Sequence, residues 1–474
     1  MIKSEAPSIV WFRQDLRLED QPALSAAIAK GGAIIPLFIW APDEENEWAP
    51  GAASCWWLHG ALIRLQAELK SYGSTLILRQ GPSLDALKVI VQETGADAVF
   101  WNRRYEPTAV KRDAVIKEQL LSLGVKAQSF NGSLLFEPWQ ILNKQQKPYQ
   151  VFTHYWNACI DFKEPPLPLP KPESMTFYTK QMHGETIESL ELLPRIDWDK
   201  GFNIRWNPKV YCPQNILKNS IENIVEHYEE RRDCVGIEGT TTLSPCLHFG
   251  EISPRMIWHA VLHKMGRKKP FEVFLRQLGW RDFAYYLLYH FPQMPQYPLR
   301  TRFSGFPWQN NRLALKAWQQ GKTGYPIVDA AMRQLWITGW MHNRARMIVG
   351  SFLVKDLLID WREGEKWFWD TLVDADLANN AMGWQWIAGC GVDAAPYFRI
   401  FNPMTQGEKF DPNGDYIRRW IPELKDLPNQ WIHRPWEAPD IVLRAAGIIL
   451  GKDYPIPIVD HAEARKRALE AYAG

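Results

Sequence analysis

Residues 339–391 read GWMHNRARMIVGSFLVKDLLIDWREGEKWFWDTLVDADLANNAMGWQWIAGCG, and the rest of the chain is interpreted from this stretch. Taken as helices, it sets Asn343, Arg346 and Met347 on one face by the i, i+3, i+4 rule. Further on, Asp376, Asn380 and Trp384 line up at i, i+4, i+8. Both faces are mostly polar within segments that are otherwise apolar. Arg, Asp or Asn is costly in such surroundings unless paired or offered a polar ligand. The stretch therefore predicts a region that wraps something large, flat and hydrogen-bonding, and a cofactor is the natural guess. The competing reading is a buried Arg–Asp pair that only holds a helical core, as ion pairs often do. Trp340, Trp361, Trp367, Trp369, Trp384 and Trp386 crowd the same stretch, and for most of them packing is the expected role.

A chain of 474 residues is too long for one ordinary core and suggests two or three domains. Charged residues at 23% and hydrophobic ones at 46% match a soluble globular protein, and no apolar run reaches the roughly 18 residues of a membrane span. The opening MIKSEAPSIVWF has no apolar signal-peptide core, so a cytoplasmic address is expected. Cys55, Cys159, Cys212, Cys234, Cys246 and Cys390 show no C-x-x-C spacing, which predicts reduced thiols and no metal site. With a formal charge of only +2, any nucleic-acid binding must use a local basic patch.

Between residues 8 and 130, short apolar runs alternate with amphipathic ones. The strand-like runs are SIVWF from Ser8, AIIPLFIW from Ala33, STLILRQ from Ser74, ADAVFWN from Ala96 and VKAQSF from Val125. Residues 54–69 and 84–91 between them have helical spacing. This is the pattern of a parallel, Rossmann-like sheet with helices on both faces, whose ligands bind at the carboxyl ends of the strands. VWFRQDLRLED stands where a G-x-G-x-x-G or Walker motif would follow the first strand, so a dinucleotide or nucleoside triphosphate is not expected there. The domains expected are 1–130, α/β; 131–206, a proline-rich connection; and 207–474, helical throughout.

In that last part, Ser244-Pro245 and Ser253-Pro254 read as N-cap plus N1 signals. The first follows Thr240, Thr241 and Thr242, an anion seat for a pyrophosphate on one reading and a plain cap on the other. Gln277, Trp280 and Arg281 share a helical face, either a ligand surface or an amphipathic helix with a half-buried Trp. The Gly/Pro-punctuated segment from Tyr397 carries Arg399, Gln406, Lys409, Arg418 and Arg419, compatible with phosphate contacts or with a solvated loop.

Several of these motifs in order, TGYPIVDAAMRQLWITGWMHNRARM through DADLANNAMGWQW, GTTTLSPCLHFGEISPR before it and YFRIFNPMTQGEKFDPNGDYIRRW after it, resemble the DNA photolyase/cryptochrome family. The likeness extends over essentially the whole chain and is strongest to the class I-like cyclobutane pyrimidine dimer photolyases. It implies an α/β antenna domain and a large all-α domain holding FAD in a U shape. It also implies a possible second antenna chromophore (folate, deazaflavin or FMN), and UV-damaged DNA as partner to a monomer that is nucleoid-associated when bound.

Carried over position by position, Tyr228, Thr240, Thr241, Thr242, Leu243 and Ser244 resemble the phosphate end of the flavin site. Trp340, Arg346, Asp374, Ala375, Asp376 and Asn380 resemble its ring and ribose neighbours, with Asn380 at the reactive nitrogen. Trp384, Trp361 and Trp308 match the electron relay from flavin to surface. Gln277, Trp280, Arg281, Asn343, Arg344, Met347 and Gln406 match the cavity that receives the flipped bases, and Arg344, Arg399 and Lys409 are the candidate phosphate contacts. The resemblance departs at Gln277, where dimer enzymes usually have Glu, and at Thr108-Ala109, which lacks the Asn-Glu pair of some folate-binding members. Asn380 and the absence of a long tail disfavour a plant-type cryptochrome, and Asn343 disfavours a (6-4) photolyase, whose members carry a second His there.

Overall fold

Residues 6–180, 182–207, 211–266 and 269–473 are described by the structure, a computed structural model. Its first layer is a five-stranded sheet of β1 (Ser8–Phe12), β2 (Ile34–Trp40), β3 (Ile77–Gln80), β4 (Ala98–Asn102) and β5 (Lys126–Phe130), all pairs parallel, in the order β3-β2-β1-β4-β5. Because successive side chains leave a strand on opposite faces, β1 serves two cores. Val10 and Phe12 pack with α1 (Pro22–Lys30) and α2 (Ala52–Ser71), while Ile9 and Trp11 pack with α3 (Ser83–Thr94) and α4 (Pro107–Ser122). The sheet is therefore covered on both sides, as its apolar runs require. Its third strand is three residues shorter than its apolar run, beginning at Ile77 rather than Ser74.

The connection after β5 is more ordered than its composition suggests. Phe152–Phe162 is a helix, α5, burying Phe152, Tyr155, Trp156 and Cys159, an i, i+3, i+4, i+7 stripe that was present in the sequence but masked by the prolines around Pro165. Beyond those prolines the backbone returns to the sheet: Ile34 N–H donates to Thr176 O and Tyr178 N–H to Ile34 O. Asp20 closes the junction from below. Its carboxylate takes Arg255 at 2.8 Å, the Ser253 hydroxyl and the Leu169 amide, and it is fully buried.

The opening stretch folds into three helices, Asn343–Ser351, Trp361–Thr371 and Leu377–Ala388, with a π-helical turn, Phe352–Asp356, extending the first. Each start is capped by its own side chain: His342 Nδ1 accepts from Arg344 N, Asp360 from Arg362 N, and Asp376 from Asn379 N. Close approach depends on glycine. A Cβ on Gly364 would meet the Trp384 ring at 2.1 Å, so the second and third helices touch there.

Candidate functional site: a helical cradle

Val373 N–H donates to Gly339 O at 2.8 Å, and this link lays the 373–376 turn beside the start of the Asn343–Ser351 helix. Arg346 Nη2 thereby reaches both oxygens of Asp374, at 3.0 and 2.8 Å, while its Nε donates to Met341 O at 2.9 Å. The Asp374 side chain is buried but that of Arg346 stays 25% exposed, so the guanidinium keeps donors free on the open side. Two residues on, Asp376 is buried on Tyr285 OH, with His248 Nδ1 at 3.7 Å. Burial raises its pKa, but His248, Arg281 and the Tyr285 hydroxyl outweigh that and hold it ionised, below the usual carboxylate range. Asn380 donates Nδ2 to Glu365 O at 2.9 Å, which leaves its carbonyl oxygen as the group presented. The Glu365 carboxyl beside it is buried with neither oxygen partnered among the described residues, and burial, with Glu47 next, pushes its pKa well up.

The 240–244 loop forms the opposite wall. Thr242 adopts φ +51°, a left-handed conformation that a β-branched residue rarely takes and that marks strain at functional turns. Trp340 Nε1 reaches Ser244 Oγ at 3.4 Å and so ties this loop to the Arg346 side. One expectation is corrected here. Ser244 is not an N-cap: Leu243 holds that position, no side chain caps the turn, and the helix has only five residues, because the Ser244 hydroxyl faces the indole instead. Ser253 does cap, accepting from Met256 N at 3.0 Å. Tyr228 is buried under Arg232, whose guanidinium lies 5.3 Å from the ring.

Trp384 and Trp361 are both buried, and Trp308 is half-exposed. Trp384 rests on Gly364, one turn from Trp361 on the same helix, while Gln309 N–H donates to Leu358 O at 2.7 Å and so brings Trp308 to the segment leading into Trp361. The order along the three is thus Trp384, Trp361, Trp308, from inside to surface.

The candidate DNA contacts divide. Asn343, Arg399 and Lys409 are exposed, and Met347 and Gln406 are half-buried. Arg281 is not free to reach a duplex: its side chain is 11% exposed and donates to Ser133 O at 2.6 Å, bracing the connection. Arg344 is 15% exposed, paired with Asp233 at 2.9 Å and lying over Phe410. Arg418 is likewise consumed, by the carbonyls of Asn413, Lys425 and Leu427. Gln277 turns its amide to Val273 O at 3.0 Å in its own helix. Trp280 stacks at 3.7 Å on Phe152, which covers one of its faces. Together with Trp386 it lines a shallow apolar cleft, about 270 Å³ of space including open solvent, beside Met382 and Asp393. Trp386, Arg232 and Glu365 were missed in the sequence, Trp386 because one indole among six carries no signal of where it faces.

A second cavity, about 760 Å³ of space open to solvent, lies at the carboxyl ends of β1 and β2, lined by Trp11, Trp40, Arg13, Arg104, Arg112 and Glu45 among others. Arg104 and Arg112 pair with Glu45 at 2.6 and 3.0 Å along its wall.

A parallel sheet with a ligand-sized mouth, joined to a helical cradle with charged groups and polar groups unpartnered among the described residues, defines a two-part protein with a candidate ligand site in each part. Residues 8–173 match the family described as DNA photolyase, and residues 274–474 the family described as the FAD binding domain of DNA photolyase. The chain is 48% identical to the deoxyribodipyrimidine photo-lyase of Agrobacterium fabrum, over 99% of this chain and 98% of that one. It is 42% identical to cryptochrome-1 of Arabidopsis thaliana, over 98% of this chain and 70% of that one. Among solved structures, a bacterial class III photolyase from Agrobacterium tumefaciens superposes with a TM-score of 0.95 at 47% identity, covering 99% of this chain and 98% of that one. An archaeal photolyase from Sulfolobus tokodaii with two FAD molecules gives 0.83 at 31% identity, covering 98% and 99%. This chain belongs to the DNA photolyase/cryptochrome family and carries its FAD-binding domain.

The cradle suits that cofactor. An Arg346 with donors on its exposed side, a strained hydroxyl-bearing loop and Trp384 Nε1, which has no partner among the described residues, supply donors for an anionic, many-acceptored dinucleotide.

Proposed function

We propose that this protein is a light-driven repair enzyme that splits cyclobutane pyrimidine dimers in UV-damaged DNA. The observation that carries the reading is Asn380, whose Nδ2 donates to Glu365 O, which fixes the carboxamide and leaves its oxygen available as an acceptor. Held by these residues, reduced FAD would supply light-driven one-electron chemistry.

The chain's own residues position and tune. Arg346 and Asp374 orient the ring system, and Asp376 adds a fixed negative charge beside it. Ala375 lies between the two carboxylates, on the turn that lines the ribose. Tyr228 and Thr240, Thr241, Thr242, Leu243 and Ser244 hold the diphosphate, and Trp340 closes the cradle. Trp384, Trp361 and Trp308 carry reducing equivalents inward from the surface. Trp280 and Trp386 receive the flipped bases with Asn343, Met347, Gln277 and Gln406 at the rim, while Arg399 and Lys409 meet phosphates. The cavity at the sheet edge takes the second pigment. Residues 1–130, 131–206 and 207–474 act as antenna domain, connection and catalytic domain of a cytoplasmic monomer.

A cryptochrome-type photoreceptor is the second reading, favoured by Gln277, whose donor is engaged within its own helix. The deciding experiment illuminates the fully reduced protein with a duplex containing one dimer inside a restriction site, beside a (6-4) duplex. Recovery of cutting on the dimer alone supports the repair reading; recovery on neither supports the photoreceptor. In parallel, Trp384→Phe is expected to abolish thiol-dependent photoreduction of oxidised flavin while pre-reduced enzyme still repairs.

A further inference from the structure

His342 belongs to no role assigned above beyond its cap. It is 3% exposed, and its Nδ1 accepts the Arg344 amide at 3.1 Å, so that nitrogen carries no hydrogen and the ring proton resides on Nε2. Nε2 has no partner among the described residues. A buried N–H without an acceptor costs about 1–3 kcal/mol, and native structures keep few of them. The surroundings point to an acceptor of negative charge. Arg344 and Arg346 come from the same helix, paired with Asp233 and Asp374, and Arg232 from the segment packed against it, so three guanidiniums face two carboxylates. Burial, only partly opposed by Asp233, holds the imidazole neutral, down to about 4, so its proton is a fixed donor rather than a titrating one. Trp340, edge-on to the imidazole at 6.4 Å, reaches Ser244 on the strained loop, which sets His342 between that loop and the Arg346–Asp374 pair.

We propose that His342 is a positioning residue for the cofactor: its Nε2–H donates to an anionic oxygen of the diphosphate–sugar arm of FAD. The inference rests on the cradle holding FAD and not on what the loaded protein does to DNA. Its chemistry is the same in a repair enzyme and in a photoreceptor, so failure of the repair assay leaves it standing.

The test is retention of FAD. Holoprotein is diluted serially and released flavin is followed by its fluorescence, for wild type, His342→Asn and His342→Gln. Asn is among the strongest N-caps and keeps the Arg344 contact, but it is too short to reach where Nε2 stands. Loss of a hydrogen bond to a charged acceptor is expected to weaken FAD at least about tenfold in His342→Asn, with the melting temperature of the flavin-free protein unchanged. Competition by ADP should weaken by the same factor, while binding of riboflavin, which lacks the diphosphate arm, should not change. Independently of any variant, histidine-selective ¹⁵N NMR of wild-type holoprotein should show a protonated Nε2 coupled to ³¹P. Superimposable dilution curves, equal weakening of riboflavin, or an Nε2 proton without phosphorus coupling would each overturn the assignment. The spectrum decides the matter even if both variants fail to fold.

Discussion

Two arginine–aspartate pairs in this molecule have the same length and opposite meanings. Arg255 meets Asp20 at 2.8 Å at the foot of the sheet, and Arg346 meets Asp374 at 2.8 Å in the helical region. Around Asp20 every remaining valence is taken by chain atoms, the Ser253 hydroxyl and the Leu169 amide, and the side chain is sealed. Around Asp374 the pair stays open on the arginine side, and in the same stretch Asn380 has its oxygen available and His342 Nε2 has no partner among the described residues. The first pair is a lock between layers and the second is a receptor. What distinguishes them is not the pair itself but how its remaining hydrogen-bonding capacity is spent.

Breaking the lock should give the largest effect. Asp20→Ala leaves Arg255 buried without its carboxylate, and unfolding in urea should lose about 3–5 kcal/mol while the folded fraction still binds flavin. A comparable loss of flavin affinity in the folded fraction would blur the distinction.

Lys355 sharpens it, as a buried cation with neither role. It is fully buried, its Nζ donates to Arg399 O, and burial lowers its pKa to about 8, with Asp356 opposing and Arg399 adding to the fall. Between pH 8 and 10.5 the unfolded chain holds more protons than the folded one, so stability rises with pH through that window, by up to about 3 kcal/mol from this residue. Lys355→Met should flatten the rise in urea midpoints, and an unchanged profile would show that the amine is solvated.

Smallest is the surface term. Arg399 and Lys409 are exposed, whereas Arg281 and Arg418 are spent on carbonyls. The double change Arg399→Ala, Lys409→Ala should lower the slope of log affinity against log salt for damaged duplex by about 2, and Arg418→Ala should alter stability more than slope. Equal slopes would place the DNA elsewhere.

Much of this was legible in the sequence where one element decides the outcome. The apolar runs of β1, β2 and β4 and the cap at Ser253 depend on neighbours within a few residues. The α5 helix had its stripe, but prolines a few residues on concealed it. Ser244 misled because a Ser-Pro signal cannot report that an indole nearly a hundred residues away competes for the hydroxyl. Arg281 looked like a DNA contact because nothing local reveals that the Ser133 carbonyl folds back onto it. His342 and Trp386 stood inside the stretch quoted first, yet only burial and partnering, set by distant segments, separate them from their neighbours.

The central claim is that the Arg346–Asp374 pair holds a ligand rather than the fold, and Asp374→Asn tests it most directly. FAD retained after gel filtration is measured beside the melting temperature of the flavin-free protein, since bound flavin itself raises that temperature. The account predicts loss of FAD from the variant, with flavin-free melting within about 3 °C of wild type, because the partly exposed Arg346 remains solvated when its partner is neutralised. Full retention of FAD together with a large drop in melting temperature would make the pair a second lock, and the account would be wrong.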